Sequence, residues 1–185
     1  MNNKEKFDRY AEMLRDWSTR MNLVAPSTLG DIEQRHFADS AQLADVLPVD
    51  AHVIDLGSGA GFPGIVLAIL GWRVVCIESI GKKAAFLNAV REELHLDNLT
   101  VYHGRVENYI SALPHDNKTV FTARAFAPLI KILDYVAKTP YPLYLLKGRE
   151  IPAEIDVARR KYKFDYKLIP SKTGDGFIII IQKGR

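Results

Sequence analysis

The start of the chain carries apolar side chains at helical spacing. Between residues 3 and 21 apolar positions recur every three or four residues, which predicts an amphipathic helix with one buried stripe. These positions are Phe7, Tyr10, Ala11, Leu14, Trp17 and Met21. A second helical pattern covers residues 31–47 and ends before Pro48. We therefore expect an N-terminal helical cap over residues 1–50.

From residue 51 onward, short apolar runs alternate with amphipathic patterns. The runs that predict strands are residues 52–56, 73–78, 100–103, 119–123, 144–147, 166–169 and 177–182. The patterns that predict helices are residues 65–70, 82–96, 106–113, 129–137 and 153–162. Such alternation predicts a mostly parallel sheet with helices on both faces. Only the turn-forming stretch 171–176 separates the last two strands, so we expect an antiparallel C-terminal hairpin.

The first predicted strand runs directly into a glycine-rich turn. Residues 53–64 read Val-Ile-Asp-Leu-Gly-Ser-Gly-Ala-Gly-Phe-Pro-Gly, and Pro63 suits the first turn of the helix that follows. Glycines leave backbone accessible, so a strand, a glycine loop and a helix in this order predict a nucleotide-like ligand. Gly59, Gly61 and Gly64 also match the dinucleotide spacing, with Glu78 roughly 20 residues beyond the first glycine. The spacing therefore leaves two cofactor classes open.

Charge and topology favour one of these two classes. The carboxylate of Asp55, two residues ahead of the loop, would repel a pyrophosphate and attract a cation. S-adenosylmethionine carries a sulfonium and an ammonium, and Glu78 could bond its ribose diol. A parallel sheet that ends in an antiparallel hairpin is associated with methyltransferases that use this cofactor. We therefore predict an α/β, class I S-adenosylmethionine-dependent methyltransferase fold, Rossmann-like, with seven strands and with residues 51–185 as one compact core.

Composition excludes several other classes. The chain is 48% hydrophobic without a long apolar span, which favours a soluble globular protein with no membrane partner. Its first residues lack the apolar region of a secretion signal, so we expect a cytoplasmic protein. Cys76 is the single cysteine, which excludes an intrachain disulfide. The histidines show no metal-ligand spacing, and we assign no metal.

The formal net charge of +3 permits an anionic partner without requiring one. Residues 147–172 contain eight basic side chains and four acidic ones. This local excess suits contact with phosphates, and a solvated helix face explains it equally well.

Several short motifs occur in a characteristic order along nearly the whole chain. They are Asn22-Leu23, Arg35-His36-Phe37-Ala38-Asp39-Ser40, the glycine loop with its Phe-Pro-Gly extension, Glu78-Ser79, Lys82-Lys83, Phe86-Leu87, Arg105-Val106-Glu107, Arg124-Ala125 and Lys147-Gly148. In this order the motifs closely resemble the glucose-inhibited division protein B family. The resemblance implies methylation of N7 of a guanine in 16S ribosomal RNA, with S-adenosylmethionine as the methyl donor.

The loop and the resemblance together predict the site residues. The cofactor site is expected to contain Asp55, Gly57, Ser58, Gly59, Gly61, Phe62, Glu78, Ser79, Arg105, Val106, Glu107 and Arg124. The resemblance places Glu78 at the ribose and Val106 and Glu107 beside the adenine. Candidate catalytic residues are Arg124, Lys147, His36 and Asp39. Candidate RNA contacts are Arg35, Lys147, Arg149, Arg159, Arg160 and Lys163.

The chemistry of guanine N7 limits what a catalytic site must contain. N7 has a lone pair and no proton, so alignment with the methyl donor replaces a general base. N7 faces the deep major groove of an A-form helix, so we expect an opened or unpaired target. The expected partner is 16S ribosomal RNA or a small-subunit assembly intermediate, bound by a monomer. Alternatives are methylation of another RNA or a small molecule, an NAD-dependent oxidoreductase, and a non-catalytic RNA-binding assembly factor.

Overall fold

The computed structural model describes residues 1–113 and 116–182. In these ranges seven strands form one sheet of order β3-β2-β1-β4-β5-β7-β6, in which only β7 runs opposite to the others. The strands are β1 (His52–Leu56), β2 (Arg73–Glu78), β3 (Leu99–His103), β4 (Thr119–Arg124), β5 (Leu143–Lys147), β6 (Asp165–Pro170) and β7 (Phe177–Gln182). Each predicted strand agrees with the observed one to within one residue at either end, and the predicted fold class is confirmed.

Helices cover both faces of the sheet. The α-helices are α1 (Asn3–Ser18), α2 (Asp39–Ala41), α3 (Gly64–Ile69), α4 (Gly81–Glu93), α5 (Val106–Ser111), α6 (Leu129–Val136) and α7 (Ile151–Arg159). Neighbouring residues of β1 show how the sheet divides the core, because Val53 joins the hydrophobic cluster that contains α1, α3 and α4, whereas Ile54 joins the cluster with α6 and α7. Burial on both faces explains the continuous apolar strands.

The N-terminal helix α1 begins with a capping box and packs on the helices that cover the sheet. The side chain of Asn2 accepts a hydrogen bond from the backbone N–H of Glu5, whose carboxylate accepts one from the N–H of Asn2. Tyr10 and Leu14 are fully buried within the same cluster as α3 and α4. The segment is therefore packed directly against the sheet-covering helices.

The second predicted helix, over residues 31–47, is not one α-helix. A 3-10 helix over Pro26–Asp31 leads into a π-helical turn over Glu33–Ala38, the short α2 follows, and a second 3-10 helix covers Gln42–Asp45. The carbonyl of Arg35 in the π-helical turn accepts a hydrogen bond from the side chain of Arg124. Tertiary contacts of this kind override the regular helix that the spacing predicts.

The carboxyl ends of parallel strands β1, β2, β4 and β5 lie at one edge of the sheet. The residues at or just after these ends include Gly57, Glu78, Arg124 and Lys147. In open α/β sheets this edge holds the ligands. No helix in the described ranges has the length and apolar character needed to cross a membrane.

Candidate active site

The glycine loop after β1 uses backbone conformations that favour glycine. Gly57, Gly59 and Gly61 have φ angles of 67°, 57° and 98°. A Cβ atom at Gly57 would also overlap the ring of Phe126. Tyr10 fixes the loop from below, since its hydroxyl donates a 2.5 Å hydrogen bond to the carbonyl of Ala60. The loop is thus held in place at the edge of the sheet, and its glycines leave backbone accessible there.

Asp55 lies beneath this loop rather than at its surface. Its side chain is completely buried, and Oδ2 accepts a 3.1 Å hydrogen bond from the backbone N–H of Gly64. Oδ1 has no hydrogen-bond partner in the described part of the chain. Burial raises the pKa of this carboxyl to about 7. The expectation that Asp55 directly faces a ligand needs correction, because its side chain points towards α3 and supports the loop.

A cavity of about 480 Å³, here called the loop cavity, opens above the glycines. Its lining comes from the loop, from the end of β2, from the end of β4 and from the N-terminal segment. The lining residues are Leu23, Val24, Ala25, His36, Gly57, Ser58, Gly59, Ala60, Phe62, Glu78, Ser79, Ile80, Lys83, Arg124, Ala125 and Phe126. Most of the predicted cofactor residues therefore meet in one place.

Glu78 is held at the wall of the loop cavity by two backbone groups. Oε2 accepts a 2.8 Å hydrogen bond from the N–H of Gly59, and Oε1 accepts one of the same length from the N–H of Ile80. A carboxylate oxygen can accept a second hydrogen bond, so both oxygens remain able to bind hydroxyl groups. The position suits a diol such as a ribose.

A smaller cleft of about 60 Å³ adjoins the loop cavity through shared walls. Five predicted cofactor residues gather around it, namely Gly57, Ser79, Arg105, Val106 and Glu107. Gly57 and Phe126 line both spaces, so the half-buried Phe126 ring separates them. Sequence reasoning missed Phe126, although its place two residues after β4 is a signal that could have found it.

A second large cavity, the outer cavity, measures about 540 Å³ and lies on the other side of Arg124. His36, Arg124 and Ala125 line both large cavities. The remaining lining residues are Arg35, Asp39, Leu146, Lys147, Gly148, Glu154, Ser171, Thr173, Gly174, Asp175, Gly176 and Phe177. The catalytic candidates Arg124, Lys147, His36 and Asp39 thus share one cavity wall.

Arg124 is fixed between the cavities by three hydrogen bonds. It donates to His36 Nδ1 at 2.8 Å, to Asp39 Oδ2 at 3.0 Å and to the carbonyl of Arg35 at 3.1 Å. Its guanidinium lies 4.7 Å from the ring centroid of Phe62. Thr173 in the β6–β7 turn donates a 2.9 Å hydrogen bond to the other oxygen of Asp39. This network joins the N-terminal segment, β4 and the C-terminal hairpin.

His36 is a neutral acceptor in this network. Burial, together with the charge of Arg124, lowers its pKa to about 4. Because a guanidinium only donates, Nδ1 accepts from Arg124, and Nε2 therefore carries the proton and donates to Thr28 Oγ1 at 2.8 Å. The ring stacks on buried Phe62 at a centroid distance of 4.9 Å. His36 therefore orients Arg124, and its ring is neutral near neutral pH.

Lys147 forms a mostly buried ion pair at the wall of the outer cavity. Its ammonium lies 2.6 Å from Glu154 Oε2 and donates to the carbonyl of Ala127 at 3.0 Å. The same Glu154 oxygen accepts a 2.6 Å hydrogen bond from the N–H of Leu129. Sequence reasoning missed Glu154, because only the packing of α7 against β5 brings it to this wall.

The remaining basic candidates are not brought together. Arg149 is exposed and pairs with Glu150 and Asp175. Arg159, Arg160 and Lys163 are also exposed, but they line neither large cavity. Helix α7 starts at the carboxyl edge and runs back across the sheet, so these three side chains lie near the opposite edge. The number of charges along the chain does not show at which edge of the sheet these side chains lie.

The fold is that of S-adenosylmethionine-dependent methyltransferases. A solved methyltransferase of this class from Aquifex aeolicus superposes with a TM-score of 0.62 at 14% identity, over 86% of this chain and 94% of its own. A mutant of MtNAS in complex with S-adenosylmethionine gives a TM-score of 0.63 at 17% identity, over 99% and 76%. At such low identity the likeness shows the fold alone.

Residues 3–173 match the GidB family, described as rRNA small subunit methyltransferase G, and the chain belongs to this family. A relative from Hyphomonas neptunium is 42% identical over 184 residues, which cover 96% of this chain and 86% of the relative. A relative from Dinoroseobacter shibae is 39% identical over 181 residues, covering 92% and 90%. Both are named Ribosomal RNA small subunit methyltransferase G. The family predicted from the motifs is confirmed.

Proposed function

We propose that this protein transfers a methyl group from S-adenosylmethionine to N7 of a guanine in 16S ribosomal RNA. The observation that carries the proposal is the pair of large cavities that meet at Arg124. One has a glycine floor and a carboxylate suited to a nucleoside, and the other is open to a base. Names of the family and of the relatives support small-subunit ribosomal RNA as the substrate.

The residues of the loop cavity fit S-adenosylmethionine. Gly57 and Gly59 provide backbone free of side chains, and Glu78 presents two oxygens to a ribose diol. Val106 and Glu107 line the cleft that suits an adenine. Asp55 supports the loop from below, and because burial raises the pKa of its carboxyl to about 7, a cationic ligand above the loop would favour its ionised form. When bound, the cofactor supplies a methyl group on a positively charged sulfur, which is a good leaving group.

The reaction needs no proton transfer by the protein. The lone pair of guanine N7 forms the new bond to carbon while the carbon–sulfur bond breaks and its electrons return to sulfur. The products are a neutral thioether and a cationic 7-methylguanine, so charge and atoms balance. Arg124 lies at the junction of both cavities and is held by His36 and Asp39. The chain's contribution is therefore to align two ligands and exclude water between them.

The proposal includes the state of the RNA substrate, the location of the reaction and the oligomeric state of the protein. Because N7 of a paired guanine lies in a deep groove, the substrate is an unpaired guanine, in free RNA or in a partly assembled small subunit. We place the reaction in the cytoplasm, where ribosomal RNA is found, and assign it to a monomer. Light scattering after gel filtration measures the mass of the protein alone, and a mass of twice the chain would contradict the monomer.

Radiolabelled methyl transfer tests the proposed function. The protein is incubated with labelled S-adenosylmethionine and with 16S ribosomal RNA that lacks the modification, supplied either free or within small subunits. We expect label at one guanine, at a site that becomes sensitive to aniline cleavage after borohydride reduction, as 7-methylguanine does. Label on another base or on a small molecule would contradict the proposal. Calorimetric binding of NAD instead of S-adenosylmethionine would overturn the cofactor assignment.

A further inference from the structure

The ion pair between Lys147 and Glu154 presents unused hydrogen-bonding groups at the outer cavity. Lys147 is 10% exposed and Glu154 is 26% exposed, and both line this cavity. In the described part of the chain Glu154 Oε1 has no hydrogen-bond partner, whereas Oε2 accepts from the N–H of Leu129 and lies 2.6 Å from the ammonium of Lys147. The ammonium donates a hydrogen bond to the carbonyl of Ala127 and is ion-paired with Glu154 Oε2, which leaves at least one of its three hydrogens. One donor and one acceptor are thus available side by side.

Selection of guanine for methylation at N7 requires contacts to other atoms of the base, because N7 alone does not distinguish the purines. Guanine and adenine both present N7 as an acceptor. They differ on the neighbouring edge, where guanine has an O6 acceptor beside an N1–H donor and adenine has an amino donor beside an N1 acceptor. A protein donor beside a protein acceptor matches guanine and mismatches adenine. Arg124 is less suited to distinguishing guanine from adenine, because it already donates to His36, Asp39 and the Arg35 carbonyl.

We propose that Lys147 and Glu154 together select guanine, with the ammonium donating to O6 and the carboxylate accepting from N1–H. The inference rests on the proposed function and adds the residues that choose the base. The bond to Glu154 strengthens during the reaction, since methylation at N7 makes the ring cationic and N1–H a better donor. Occupation of the Watson–Crick edge also requires the target guanine to be unpaired in the complex.

Base analogues at the target position test the proposal without altering the protein. Inosine keeps O6 and N1–H and lacks only the 2-amino group, whereas 2-aminopurine keeps N7 and lacks both groups that the pair reads. We expect wild-type kcat/KM for inosine within about threefold of guanine, and a loss of about 10- to 100-fold for 2-aminopurine. Equal rates with guanine and 2-aminopurine would overturn the selection. Absence of transfer to guanine itself would instead refute the proposed function.

The variant Glu154→Gln tests the role of the carboxylate. Glutamine keeps an acceptor for the N–H of Leu129 but no longer pairs with the ammonium. We expect the preference for guanine over 2-aminopurine to fall to within about threefold, while S-adenosylmethionine affinity is unchanged. Unchanged preference in this variant would refute the proposal. If the variant does not fold, the analogue series with the wild type decides alone.

A control ion pair joins α6 to the residues just after α7. Asp134 of α6 pairs with Lys161 at 2.6 Å and lines a separate cavity of about 550 Å³, not the loop cavity or the outer cavity. Asp134→Asn removes a similar ion pair, so it should retain the full preference for guanine. If the pair of Lys147 and Glu154 had a merely structural role, its loss would lower the rates for all bases together and leave their ratio intact. Equal loss of the ratio in both variants would also contradict the proposal.

Discussion

Arg124 Nη2 and His36 Nδ1 are joined by a 2.8 Å hydrogen bond across the junction of the loop cavity and the outer cavity. The bond links the end of β4 to the π-helical turn of the N-terminal segment. Since arginine can only donate, the contact requires a neutral imidazole acceptor. The two side chains therefore fix each other, and their protonation and geometry control the shape of both cavities.

Arg124→Lys should impair methyl transfer more than cofactor binding. A lysine cannot reproduce the fork that donates to His36, Asp39 and the Arg35 carbonyl together. We expect kcat to fall by about 100-fold, since misalignment of bound reactants carries such a cost. Single-turnover methylation and calorimetry measure the two effects. Arg159→Lys, on the exposed face of α7, is the matched control and should retain both methyl transfer and cofactor binding.

His36 should make the protein less stable as the pH falls. Its pKa is about 4 in the folded chain against an ordinary value of 6.5. Between these values the unfolded chain binds the proton and the folded chain does not, so stability drops from pH 6.5 to pH 4 and then levels. The loss is on the order of 2–3 kcal/mol. Urea unfolding of the wild type and of His36→Asn at several pH values isolates this loss. Parallel curves of unfolding free energy against pH would contradict the lowered pKa of His36.

Asp55 should produce the opposite dependence of stability on pH. Burial raises its pKa from 3.8 to about 7, so the folded chain holds the proton in that interval and the unfolded chain does not. Stability is therefore lost as the pH rises from about 4 to 7. Asp55→Asn removes this cost and should exceed the wild type by on the order of 3 kcal/mol at pH 8, with little difference at pH 4. A pH-independent difference between the two proteins would contradict it.

The loop glycines Gly57 and Gly59 should differ in their response to alanine. Both have positive φ angles, but only at Gly57 would a Cβ atom overlap the ring of Phe126. Gly57→Ala should therefore weaken S-adenosylmethionine binding at least tenfold more than Gly59→Ala, which carries backbone strain of about 1 kcal/mol alone. The double variant Gly57→Ala with Phe126→Ala should recover affinity. Calorimetric titration is the measurement, and no recovery would contradict the steric cause.

Basic residues at the two edges of the sheet should contribute unequally to RNA binding. Arg35 is exposed and lines the outer cavity, whereas Lys163 lies near the opposite edge. Arg35→Ala should weaken RNA binding and reduce the slope of log affinity against log salt by about one. Lys163→Ala should change neither quantity. The measurement is filter binding at several salt concentrations, and equal effects would argue for a second RNA-binding surface.

The hydrophobic pattern determines the strands and their two-faced burial. Residues 74–77 of β2 are all apolar, because a central parallel strand has no solvent face, and this signal is local. The glycine loop is similarly readable, since positive φ angles at Gly57, Gly59 and Gly61 favour glycine. The positions of Glu78 and Arg124 follow from the strand ends. These features could be predicted without knowledge of tertiary contacts.

Other features depend on segments that are far apart in the chain. Asp39 receives hydrogen bonds from Arg124 and from Thr173, which are 85 and 134 residues away. The π-helical turn, the burial of Asp55 beneath the loop and the contact of Phe126 with Gly57 arise in the same way. The sequence by itself determines the fold, the family and most of the cofactor loop, because these depend on local periodicity and backbone preference. Only the tertiary structure decides which charges meet and which are buried, because pairing and desolvation depend on how distant elements pack.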